Sequence, residues 1–188
     1  MVKIPYPELK KGATIIYEGK PHEIIESALM FQGRGQSNLR VRLKNLIEGN
    51  TISQTFHPSD SFEEADLEKK DIKFLYQTKG QYFFCEINDP SKRFSFAEAQ
   101  IGTQTKYLKP NGIVTGIIFN EKIINFVLPI KMQLKIKESA PGIKGDRAQG
   151  GTKSAILESG AEIQVPLFID EGDVIEVNTE TGEYVKRV

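Results

Sequence analysis

An all-β protein, built as three small barrels, is what this chain predicts, and three observations carry the expectation. Short alternating runs are joined by brief turns at regular spacing, and helical periodicity is almost absent. The alternation also breaks twice, at the polar stretch SFEEADLEKKD (61–71) and at the proline of FVLPIKM (126–132), dividing the 188 residues into parts of about 60. Strands this short and regular pack more readily as several barrels, each closing its own edges, than as one large barrel. The expected domains are therefore 1–64, 65–128 and 129–188, a size that suits SH3-like and OB barrels.

Taken in order, ATIIYEG and KPHEIIES form one expected hairpin with its turn at EGK. LRVRLKNL and TISQTF form another, turning at EGN; KFLYQT and QYFFCEI turn at TKGQ; GIIFN and KIINFVL turn at NEK. PSDSFEEADLEKKD and FAEAQIG each allow a helical turn or two, the first capped by Ser59 or Asp60, but neither could cover a sheet. Cys85, in YFFCEI, sits on a half-buried strand, and as a lone cysteine it has no partner for an intramolecular disulfide. Its expected role is packing.

A hydrophobic content of 39% is enough for packed cores, and 27% charged residues suit a soluble surface. No run approaches the ~18 apolar residues of a membrane span, and MVKIPYPELKKG lacks the apolar core of a secretory signal. A cytoplasmic protein without a membrane partner is expected. The two histidines, His22 and His57, lie far apart without ligand spacing, so neither a metal nor a cofactor is expected. They read as satisfied turn or edge residues. With no serine or cysteine beside a plausible base, the chain does not read as an enzyme.

Formal charge is zero, 25 basic residues against 25 acidic. The three parts carry 8 basic against 8 acidic, 9 against 7, and 8 against 10. Residues 27–47, however, contain Arg34, Arg40, Arg42 and Lys44 and no acid at all. A docking anion responds to local sign, within a Debye length of about 8–10 Å.

Within that segment, HEIIESALMF alternates loosely and LRVRLKNL strictly, so Arg40, Arg42 and Lys44 share one strand face and Leu39, Val41 and Leu43 the other. Arg34 then tips a β-hairpin between Gly33 and Gly35, which can take positive φ and approach another surface closely. Its guanidinium is permanently charged, forks onto phosphate and stacks on bases. The glycine-rich run APGIKGDRAQGGTK (140–153) is not a Walker loop, because Thr152 follows Gly151 where the lysine is required. Nor do Gly33 and Gly35 complete G-x-G-x-x-G, since Asn38 occupies the third place. The 140–153 run reads as a turn-rich surface loop in which Lys144, Arg147 and Lys153 could face RNA.

The stretch GRGQSNLRVRLKNLIEGNTISQTF resembles the first-domain tip and following strands of bacterial elongation factor P. KSAILESGAEIQVPLFIDEG (153–172) fits that family's third-domain signature through Lys153, Ala155, Gly160, Ile163, Val165, Pro166, Ile169 and Gly172. The preceding loop resembles the family's P-G-x-x-G-D-x-x-x-G-G-x-K, and TGEYVKRV resembles its ending. The resemblance implies a KOW-type SH3-like first barrel and OB-type second and third barrels in an elongated L shape.

It further implies a monomeric translation factor that binds the 70S ribosome between the P and E sites, positions P-site peptidyl-tRNA and relieves stalling at consecutive prolines. Arg34 would lie beside the tRNA acceptor end, with Arg40, Arg42 and Lys44 on RNA phosphates. Lys144, Gly145, Arg147, Lys153, Tyr184 and Arg187 would lie toward the small subunit. Family members carry lysine or arginine at the tip, often modified, so a modifying enzyme acting on Arg34 is a partner the family admits. The flanks GRGQ are closer to the glycine-bracketed lysine type than to those of rhamnosylated members, and an unmodified Arg34 is expected. A general RNA-binding or ribosome-assembly protein would share these folds, but a generally basic surface would be its mark.

Overall fold

Strand alternation in the sequence becomes strand alternation in space. The computed structural model describes residues 3–31, 37–140 and 151–188, and these are nearly all β. The first sheet contains β1 (Lys3–Pro5), β2 (Thr14–Tyr17), β3 (Lys20–Met30), β4 (Asn38–Asn45), β5 (Thr51–Phe56) and β6 (Ser61–Glu64), in the order β1-β6-β2-β3-β4-β5. It curls around a core that includes Leu9, Ile15, Ile24, Val41, Leu43 and Phe56.

Part of the stretch expected to give helical turns is instead β6. Its partners, β1 and β2, lie some fifty residues away in the chain, at registers such as Ile4↔Phe62 and Ile15↔Glu64. Phe62 packs against Phe56 with ring centroids 4.2 Å apart, and that contact outweighs the helical leaning of its acidic neighbours. Asp60 closes the preceding turn rather than capping a helix, since its Oδ2 accepts the His57 N–H at 2.8 Å.

The second sheet contains β7 (Glu68–Thr78), β8 (Gln81–Glu86), β9 (Arg93–Ala97), β10 (Ile113–Phe119) and β11 (Lys122–Val127), in the order β11-β10-β7-β8-β9. The end of SFEEADLEKKD, from Glu68, enters β7. FAEAQIG does supply a helical turn, α1 (Glu98–Ile101). Cys85 is fully buried here with Phe84 and Ile72, as its strand position predicts. The expected turns also form: Glu18 and Gly19, Lys79 and Gly80, and Asn120 and Glu121 all have positive φ, as two-residue type I′ loops require.

The third sheet contains β12 (Lys131–Ser139), β13 (Thr152–Leu157), β14 (Glu162–Pro166), β15 (Val174–Asn178) and β16 (Tyr184–Arg187), in the order β14-β13-β12-β15-β16. A register shift between Ile136 and Glu138 bends β12, so that its first half pairs with β15 and its second with β13. Leu134, Leu157, Val165, Ile169, Ile175 and Val177 fill the concave side.

The chain packs as two compact units, residues 1–70, 96–102 and 116–126 in one, and 71–95, 103–115 and 127–188 in the other. Within the first, buried Asn125 donates from Nδ2 to the Leu46 carbonyl at 3.1 Å. Within the second, Lys109 Nζ donates to the Gln133 carbonyl at 2.9 Å. No helix among the described residues is long and apolar enough to cross a membrane.

Candidate nucleic-acid interface

The arm formed by β3 and β4 begins with a bulge. Register runs His22↔Asn45 to Ile24↔Leu43, then resumes at Glu26↔Arg42 and continues to Met30↔Asn38. Ile25 is the extra residue; in an unbroken register it, rather than Glu26, would oppose Arg42. The bulge thus places a carboxylate among the cations of the outer face. From Glu26 onward every residue of β3 is exposed, including Leu29 at 55% and Met30 at 40%.

Strand β4 buries Leu39, Val41 and Leu43 and turns Arg40, Arg42 and Lys44 outward, as the alternation predicts. Its other neighbour, β5, sets Thr55 opposite Arg40, Ser53 opposite Arg42 and Thr51 opposite Lys44. A row of hydroxyls therefore runs about 4.8 Å from a row of cations that repeat every ~6.7 Å. The hydroxyl row went unassigned in the sequence, although TISQTF alternates openly enough to have marked it. The outer face can supply charge and neutral donors to successive anions. Arg42 Nη1 donates to Glu26 Oε1 at 2.8 Å.

Two contacts brace the outer end of the arm. Tyr6, itself buried, donates its hydroxyl proton to the Ser37 carbonyl at 2.8 Å. The His57 ring lies with Nδ1 2.9 Å from Asn38 Oδ1. Nothing local in the sequence announces the first, which joins residues 31 apart. His22, buried beneath Tyr17, donates from Nδ1 to the Lys20 carbonyl at 2.9 Å, so both histidines are satisfied turn or edge residues.

The tip residues Gly33, Arg34 and Gly35, and Lys144, Gly145 and Arg147 of the second loop, lie outside the described residues. Their flanks are firm: Met30 pairs with Asn38 across the first gap, and the Ala140 N–H donates to the Ser154 carbonyl at 3.1 Å across the second. Tyr184 is half-buried on β16. Arg187 is exposed there, 3.7 Å from Asp173 and 5.9 Å above the Phe168 ring.

Lys153 departs from the expected RNA-facing role. Its side chain is 5% exposed and its ammonium lies 3.4 Å from Asp170 Oδ1. On β13 it is in phase with buried Ala155 and Leu157, so strand geometry turns it inward. Among the described residues, no group of three His, Cys, Asp or Glu side chains could hold a metal ion.

Curled β-sheets carrying a basic hairpin arm define a small-barrel protein of the kind that presents charge on a strand face. Residues 7–62 match the elongation factor P KOW-like domain and residues 132–187 the elongation factor P C-terminal domain. Proteins described as elongation factor P from Acetivibrio thermocellus and Moorella thermoacetica are 36% and 37% identical to this chain, each over 96% of it and 97% of the relative. One from Desulforapulum autotrophicum is 40% identical over 96% of both chains. The chain belongs to the elongation factor P family of translation elongation factors. A solved structure, the eukaryotic translation initiation factor 5A from Methanococcus jannaschii, is similar over 67% of this chain and 96% of its own, at 18% identity and a TM-score of 0.47.

Proposed function

We propose that this translation elongation factor binds the ribosome between the sites for peptidyl and exiting tRNA and holds the peptidyl-tRNA in reactive geometry, relieving stalls at consecutive prolines. The observation that carries this reading is the row Arg40, Arg42 and Lys44 on one outward strand face, leading into the hairpin whose tip sequence is GRG. Phosphates of tRNA and ribosomal RNA are the anions such a row suits.

Proline is a rigid substrate, and a stalled pair of reactants lacks orientation rather than chemical activation. Holding reactants in near-attack geometry recovers several kcal/mol, up to about 7–11 in ideal cases. The ribosome supplies the catalytic groups, and the factor supplies position. In this reading residues 1–64, 65–128 and 129–188 act as three domains, with Arg34, unmodified, beside the tRNA acceptor end. Tyr184 and Arg187 of the last domain face the small subunit together with the loop that carries Lys144, Gly145 and Arg147.

Translation of a reporter containing three consecutive prolines tests the proposal. Full rescue is expected with the wild-type chain, while Arg34→Ala should keep part of its ribosome binding and lose most of the rescue. Equal rescue by the variant would remove the tip from the mechanism. The intact mass of protein from its own cells should equal the sequence mass; an added sugar or amino-acid group would overturn the unmodified arginine.

A further inference from the structure

The three cations of β4 are not equivalent. Arg42 already has its counter-ion, Glu26, at 2.8 Å across the β3–β4 ladder. Arg40, two residues on, faces Ala28 instead, and among the described residues its guanidinium has no acidic partner within 4.0 Å and no hydrogen bond. Because Ala28 has only a methyl group, a notch opens beside Arg40, a shallow groove of ≈ 430 Å³ bounded by Glu26, Ala28, Arg40, Arg42 and Ser53. A smaller hollow continues past Arg40 between Met30 and Thr55. A guanidinium with its whole donor fork free, next to Ser and Thr hydroxyls and open to solvent, suits a phosphate that carries one negative charge.

We propose that this groove is a phosphodiester subsite for an RNA backbone, with Arg40 as its binding cation, and that Glu26 attenuates the site by occupying Arg42. The inference rests on the reading that this face meets RNA, and adds which residue grips and which one limits the grip. The bulge at Ile25 is the device that matters, since it alone brings Glu26 opposite Arg42. One cation engages strongly and its neighbour stays neutralised, so attachment remains weak enough for a factor that must leave after each use. An exposed carboxylate at that position opposes binding to RNA, and its removal should tighten it.

The test compares the full chain with Arg40→Gln, Arg42→Gln and Glu26→Gln in binding to ribosomes carrying peptidyl-tRNA, between 50 and 200 mM salt. All three positions are exposed, so unchanged thermal unfolding midpoints establish that the fold is kept. One phosphate contact contributes about 0.7–0.9 to the slope of log affinity against log salt, roughly threefold in affinity over that range. Arg40→Gln should lose that increment, Arg42→Gln should lose a clearly smaller one because Glu26 already offsets its charge, and Glu26→Gln should steepen the slope and bind more tightly. Equal losses for the two arginines, or no gain with Glu26→Gln, would overturn the assignment while leaving ribosome binding intact. Failure of the wild-type chain to bind ribosomes at all would instead overturn the functional reading beneath it.

Discussion

Gly49 offers a sharp test of how the basic strand is held, because it closes the turn between β4 and β5 and packs against α1 in the same compact unit. Its φ is +79°, and a Cβ there would stand 2.5 Å from the Gln100 carbonyl oxygen and 2.9 Å from Gln100 Cα. Those are backbone atoms, fixed in turn by the Gln100 side chain, which donates to the Ile124 carbonyl at 2.6 Å. Gly19, in the β2–β3 turn, shares the conformation at φ +75° but has nothing within 4 Å of the same position. Gly19→Ala therefore meets only the left-handed backbone strain, about 1–2 kcal/mol, partly offset by about 0.4–1 kcal/mol from a less flexible unfolded chain. Gly49→Ala meets the same strain plus overpacking against an unyielding backbone, about 1–3 kcal/mol more. In urea, with an m-value of about 2 kcal/mol/M, the Gly49 variant should unfold roughly 0.5–1.5 M below the Gly19 variant. Equal midpoints would refute the claim that this close approach holds the turn.

Two further predictions follow from charge placement. Lys153→Met, which keeps the buried stem and deletes the ammonium, should be neutral or slightly stabilising, whereas Asp170→Asn should cost about 1–3 kcal/mol in urea unfolding, less than a fully buried pair because Asp170 is 82% exposed. The Ser91 hydroxyl and N–H hold Asp89 below its ordinary carboxylate value of 3.8. A depressed folded-state value means that the stabilisation is complete above 3.8 and fades as pH falls below it, so Asp89→Asn should flatten the acid limb of a stability profile.

Much of the architecture was legible because the residues that make hairpins do so locally. EGK, TKGQ and NEK each present a pair that tolerates positive φ between alternating strands, and each became a tight turn. LRVRLKNL was legible for the same reason, a period of two that holds from Leu39 to Lys44. SFEEADLEKKD misled because its partners are remote: polar, acidic residues look helical until Phe56 and the distant strands β1 and β2 supply their pairing. Lys153 misled differently. The alternation of TKSAIL already placed it in phase with Ala155 and Leu157, and its charge suggested a surface that its strand position denied. Glu26 could not be placed opposite Arg42 in advance, since a single bulged residue decides it.

The uneven lengths of β2 and β3 have a mechanical consequence. β2 accompanies β3 only from Lys20 to Glu23, so beyond the bulge β3 has one neighbour, whereas β4 is hydrogen-bonded on both sides out to Leu39. The arm is a cantilever with one stiff rail and one compliant rail. A load at the Met30–Asn38 pair is carried down β4 into the packed interior at Val41 and Leu43, since β3 has less to brace it there.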